Sequence, residues 1–102
     1  MKDISDLSDV IDDELCDAEK YIRRAMQLKD TNPSLAAAYA KASNEEMGHA
    51  NLFHDQVVAI IENYRKANGE PSERMMGRYE YAHEKHMKKA NEIKVLQSLY
   101  KG

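Results

Sequence analysis

A glutamate and a histidine interrupt an otherwise apolar helical stripe in the middle of the chain. Glu46 and His49 are three residues apart, so on a helix their side chains point in the same direction. The stripe comprises Leu35, Tyr39, Ala42, Glu46, His49, Phe53, Val57, Ile60 and Tyr64. We expect it to face the interior, where an unpaired carboxylate is costly and requires a partner. A divalent metal ion would satisfy both groups at once.

A second acid, Glu14, interrupts the apolar stripe of the preceding helical segment. That stripe comprises Ile4, Leu7, Ile11, Glu14, Ala18, Tyr21, Ala25 and Leu28. In an antiparallel hairpin, residues at one height are equidistant from the turn. The midpoints of Glu14 with Glu46 and of Glu14 with His49 both fall in the turn at 30–33. We therefore expect two carboxylates and one imidazole at one level, a donor set that suits iron, manganese or zinc.

Two turns divide the chain into the elements that must position these residues. Asn32 is a good N-cap, and Pro33 suits the first position of the helix that follows. Gly69 and Pro71 end that helix, and Ser72 is the N-cap of the next.

The spacing of apolar residues predicts an all-α fold of three long helices. They cover about 3–29, 33–67 and 73–100. At about 1.5 Å per residue, each helix is roughly 40 to 50 Å long, and the short turns make neighbours antiparallel. We interpret residues 1–102 as one domain in which the hairpin 1–67 carries the candidate site. So thin a bundle leaves apolar surface uncovered, which favours a homodimer or larger homo-oligomer.

Composition argues against several other classes of protein. The net charge of −3 is mild, and the basic excess after residue 70 is too weak to indicate nucleic acid binding. No apolar run is long enough to span a bilayer, so no membrane association is expected. Cys16 is the one cysteine, which rules out an intrachain disulfide, and the N-terminus has no apolar signal core. We therefore expect a cytoplasmic protein.

The two interrupted stripes resemble a known family. The strings ELCDAEKY at 14–21 and NEEMGHA at 44–50 resemble the first helix pair of rubrerythrins and other ferritin-like proteins. That family places a Glu on one helix and Glu-x-x-His on the next, both directed into a four-helix bundle. The resemblance implies that Glu14, Glu46 and His49 are metal ligands and that Glu46 is able to bridge two metal ions.

The chain departs from the family pattern because one helix remains after the hairpin instead of two. In one arrangement, the hairpin pairs with its copy in another subunit, which supplies four Glu and two His. Small two-helix ferritin-like proteins, including those packaged in encapsulin shells, are similar in this respect. In the other, the string EYAH completes the site within the chain through Glu80 and His83. We favour the first, because helix one contributes only one well-placed acid per chain.

The resemblance implies a dinuclear iron carboxylate protein with ferroxidase or peroxidase-type activity, and manganese or zinc are alternative metals. Peroxide-reducing rubrerythrins carry an added iron site held by four cysteines, which a single cysteine cannot form. Electrons would therefore come from an external donor. The competing interpretation is a metal-free helical module for dimerisation or interaction, in which Glu46 and His49 belong to a polar seam. No catalytic residue beyond the ligands is predicted.

Several other residues are given structural roles. We expect Glu45 and His54 at the surface, since His54 is about 140° around the helix from His49. His83 and His86 share one face of the third helix, where we expect them to pack beside Tyr79 and Met87, and a separate ion site is the alternative. Tyr21 and Tyr39 are expected to flank the site, as core packing or as partners of a ligand.

Overall fold

A computed structural model describes residues 2–100, and within that range the chain is entirely helical. Helix α1 spans Lys2–Leu28, α2 spans Pro33–Asn68 and α3 spans Glu73–Leu99. The predicted all-α class and the three helices are confirmed, with each bound within one residue of its prediction. The three helices form an elongated body of about 56 × 18 × 17 Å.

The helix ends follow from the residues at the two turns. The side chain of Asn32 accepts a hydrogen bond of 3.2 Å from the backbone N–H of Leu35, and Pro33 opens α2. Ser72 Oγ accepts a bond of the same length from the N–H of Met75 at the start of α3. Gly69, at the end of α2, has a φ of +80°, a conformation that favours glycine.

The core lies mainly between α1 and α2. Its main cluster of buried residues consists of Ile4, Ile11, Leu15, Ala18, Met47, Ala50, Val57, Ile61 and Ile93. A buried hydrogen bond of 2.7 Å from Ser43 Oγ to the carbonyl of Ala18 crosses the same interface. The buried side chains of Ala18, Ser43 and Ala50 at this interface are small, which favours a close approach of the two helices.

The predicted interior stripe of α2 is rotated relative to the observed one. The buried residues of α2 are Ala36, Ser43, Met47, Ala50, Val57 and Ile61, so the two sets share Val57 alone. Most other members of the predicted stripe are half-buried, and Leu35 is 41% exposed. The prediction was wrong because α2 has apolar residues over a wide sector, and its small side chains face α1. The predicted stripe instead forms the flank of the hairpin.

Helix α3 packs on the opposite side of the hairpin, mostly against α1. Ile93 is completely buried there. His86 Nε2 lies 2.6 Å from Asp12 Oδ1, and Lys89 forms an ion pair with Glu19. The flank that carries the predicted stripe is half-buried or exposed within residues 2–100, except at Val57, which is buried.

Over the same residues, no helix has both the length and the apolar character needed to cross a bilayer.

Candidate metal centre

Glu14 from α1 and Glu46 and His49 from α2 converge on the flank of the hairpin. His49 Nδ1 lies 3.4 Å from Glu14 Oε2 and 3.6 Å from Glu46 Oε1. One potential ligand atom from each residue lies within 4.8 Å of the others. Between residues 2 and 100, no other group of three or more His, Cys, Asp or Glu side chains is placed in this way. The prediction that Glu14, Glu46 and His49 lie at one height along the hairpin is therefore confirmed.

The cluster lies at the edge of the hairpin. The prediction that it faces the interior was wrong, because the buried residues of α2 lie on an adjacent face. The side chains of Glu14 and Glu46 are 21% and 20% exposed, whereas His49 is 54% exposed. The two carboxylates are thus held against the helix interface, and the imidazole forms the solvent side of the cluster. An ion could reach these ligands directly from solvent.

Glu14 has a polar atom that the described residues leave unsatisfied. Its Oε2 is shielded from solvent but accepts no hydrogen bond. His49 Nδ1 is near this oxygen, but its orientation does not produce a hydrogen bond. A shielded carboxylate oxygen without a donor is destabilising, and in native proteins such atoms call for an explanation such as an unseen ion or partner.

The neighbours of the second carboxyl group, Glu46, raise its pKa. The hydrogen bond that a protonated Glu46 would donate to Glu14 raises the pKa of Glu46 to about 7, and burial and the charge of Glu14 act in the same direction. The charge of His49 opposes this shift. Two carboxylates this close disfavour each other's ionised form, and a cation between them would remove the conflict.

The donor set is two carboxylates and one imidazole, which suits iron, manganese or zinc. Three protein ligands leave coordination positions open on a single ion. Comparisons of the chain with protein-family models, curated proteins and solved structures give no match. The ferritin-like resemblance therefore stays a prediction from the sequence, and the geometry of the cluster is the observation beside it.

Two tyrosines lie on the same flank as the cluster. Tyr21 is seven residues after Glu14, and Tyr39 is seven residues before Glu46. Their ring centroids are 6.0 Å apart and the rings are tilted by 40°. The pair packs across the hairpin, between the cluster and the α1–α2 turn along the chain.

Helix α3 does not bring Glu80 and His83 to this cluster. Glu80 is exposed, and His83 Nδ1 lies 3.2 Å from His54 Nε2 on another side of α2. His54 is therefore half-buried, and its predicted surface position was wrong because α3 covers this side of α2. The rings of His83 and Tyr79 stack with centroids 5.6 Å apart, as the packing alternative predicted, whereas Met87 is 45% exposed.

The acid that pairs with His86 was not predicted from the sequence. Asp12 lies on α1, and its side chain is 55% exposed although it contacts the nearly buried imidazole. Asp12 is one of several acids near the start of α1, so no spacing signal distinguishes it from its neighbours.

Proposed function

We propose that this chain is half of a ferritin-like dinuclear metal centre, that two copies together hold two iron ions, and that the assembly oxidises ferrous iron or reduces peroxide. The observation that carries the proposal is the convergence of Glu14, Glu46 and His49 around a shielded, unpartnered oxygen. Manganese and zinc are the other ions that this donor set fits.

The number of ligands favours a site between two copies. Three side chains are too few for two metal ions, whereas a two-fold axis beside the cluster would bring together four carboxylates and two imidazoles. The flank around the cluster also offers the half-buried apolar residues that such an interface needs. These are Tyr39, Ala42, Phe53, Ile60 and Tyr64.

The residues of the chain would perform distinct tasks in this centre. Bound iron would supply the electrons for reduction of oxygen or peroxide. Glu14 and Glu46 would favour the ferric state through their negative charge, and His49 would complete the set as a neutral donor. Glu46 must lose its proton to act as a ligand, so we expect metal binding near pH 7 to release a proton at this carboxyl.

Anaerobic titration with ferrous iron, followed by exposure to air, tests the proposal. We expect the unaltered protein to bind iron and to develop ferric absorbance on oxidation. Glu46→Gln should lose both signals, because an amide is a poor substitute for an anionic ligand. Glu45→Gln is the matched control, since Glu45 is exposed and adjacent, and it should behave like the unaltered chain.

The alternative, a metal-free helical dimerisation or interaction module, predicts a different result. In that case the unaltered protein would bind no iron, would show no ferric absorbance and would gain no thermal stability from the metal. Glu46→Gln and Glu45→Gln would then be indistinguishable from it in all three measurements.

A further inference from the structure

His54 and His83 join α2 to α3 through a direct contact of their rings. His54 Nε2 lies 3.2 Å from His83 Nδ1. The ring centroids are 4.9 Å apart and the ring planes differ by 27°. A neutral imidazole has one N–H and one lone pair, so a hydrogen bond here requires one ring to donate and the other to accept.

The spacing of these two nitrogens also fits a metal ion. Zinc binds imidazole nitrogen at about 2.0–2.1 Å, so two nitrogens at a tetrahedral angle are about 3.3–3.4 Å apart. The observed separation of 3.2 Å is close to this distance. Replacing the shared proton with a metal ion would therefore require little movement of either helix.

The surroundings hold His83 in a form that can bind a metal. Burial, followed by the nearby His54 and His86, lowers the pKa of His83 and so favours its neutral form. Tyr79 stacks on the ring with an interplanar angle of 16°, which restrains its orientation. A cavity of about 10 Å³ beside the pair, lined in part by Ser8, is close to the size that one water ligand needs.

We propose that His54 and His83 form a second metal site, which takes an imidazole-preferring divalent ion such as zinc and ties α3 to the hairpin. Neutral imidazole is a common ligand for zinc and copper, whereas carboxylates favour harder ions. The two sites would therefore differ in metal preference. This second site does not depend on the proposed function, because it shares no residue with the carboxylate cluster.

Zinc binding to a chain without the carboxylate cluster tests the proposal. In a Glu14→Gln, Glu46→Gln, His49→Gln background, the remaining histidines are His54, His83 and His86. We expect equilibrium dialysis to give about one zinc ion per chain in this background, since one pair of adjacent imidazole nitrogens is present. Adding His54→Gln or His83→Gln should weaken binding by more than the roughly 10- to 100-fold that loss of an outer-shell partner costs.

His86→Gln is the matched control in the same background. His86 lines the same cavity, but its Nε2 lies against Asp12, so zinc binding should persist without it. The proposal is overturned if the background binds no zinc or if either His54→Gln or His83→Gln binds zinc unchanged. Loss of zinc with His86→Gln as complete as with His54→Gln would also overturn it.

Nuclear magnetic resonance of the background chain tests the proposed ligands without a substitution at His54 or His83. Imidazole ¹⁵N resonances of His54 and His83 should shift together as zinc is added, while those of His86 change less. Shifts confined to His86, or no shift at all, would contradict the proposed ligands even if a His54 or His83 variant failed to fold.

Discussion

Two histidines on different sides of α2 have different surroundings. His49 and His54 are five residues apart, about 140° around the helix. His49 lies on the uncovered flank beside two acids, and Glu14 has a shielded oxygen without a hydrogen bond. His54 lies under α3 and pairs with His83. The unsatisfied polar atom thus lies on the side that α3 does not cover, which is where a metal ion and a second copy would complete the structure.

The largest difference between the two sides should be in iron binding, which we expect to depend on the flank and not on α3. Glu14→Gln removes the carboxylate with the unpartnered oxygen, so iron binding should fall by at least ~100-fold as a ligand is lost. Glu80→Gln changes an exposed side chain of α3 and should leave the iron stoichiometry unchanged. Metal analysis after anaerobic dialysis measures both. Iron loss in the α3 variant would favour a site completed within one chain.

A charge on the uncovered flank should disrupt assembly. Ala42 is half-buried one turn before Glu46, and Ala42→Glu would add a like charge and bury it between two copies. Because such juxtapositions cost several kcal/mol, we expect dimer dissociation to increase by roughly 100-fold. Ala59→Glu makes the same change at an exposed alanine of α2 and should leave assembly intact. Sedimentation velocity over a concentration series compares them, and equal behaviour would remove the flank as an interface.

The covered side should respond through fold stability instead. Ile93 is the completely buried anchor of α3, so Ile93→Ala should lower the free energy of unfolding by about 2–4 kcal/mol. Val95→Ala, at a residue that is 57% exposed, should change it by less than about 0.5 kcal/mol. Urea denaturation of the metal-free protein measures the difference. Weakened iron binding in folded Ile93→Ala would show that the two sides are not independent.

The smallest expected effect is the pH dependence of the metal-free fold. Since the pKa of Glu46 is raised from 4.5 to about 7, its contribution to stability is present below pH 4.5 and is lost as the pH rises through 7. Glu46→Gln removes this loss, so at pH 8 the variant should be more stable than the unaltered chain by about 1–2 kcal/mol after allowance for solvent screening.

Below pH 4.5 the advantage of Glu46→Gln should vanish, because the glutamate is then neutral in both folded and unfolded chains. Glu45→Gln should show no such pH-dependent difference. Parallel stability curves for Glu46→Gln and the unaltered chain would contradict the close carboxylate pair.

Local sequence signals were enough to predict the helices and the register of the hairpin. Asn32, Pro33 and Ser72 mark helix starts by their chemistry, and the turn at 30–33 fixes which residues of α1 and α2 share a height. The position of this turn places Glu14, Glu46 and His49 at one height along the hairpin, so their proximity could be predicted from the sequence.

The rotation of each helix about its axis could not be predicted in the same way. Helix α2 carries two adjacent apolar stripes, and the choice between them depends on how closely Ala36, Ser43 and Ala50 let α1 approach. The contact between His54 and His83 depends in turn on where α3 packs, which is a tertiary property. The sequence pattern therefore predicted which residues form the candidate site, but it placed them in the interior instead of on the flank.

Native mass spectrometry of protein loaded anaerobically with ferrous iron tests the central claim most directly. The claim is that Glu14, Glu46 and His49 are half of a dinuclear site completed by a second copy. We therefore expect two iron ions to appear together on species containing two chains, or on multiples of them, and no iron on single chains. Iron bound to single chains, or iron-free dimers at saturating metal, would contradict it.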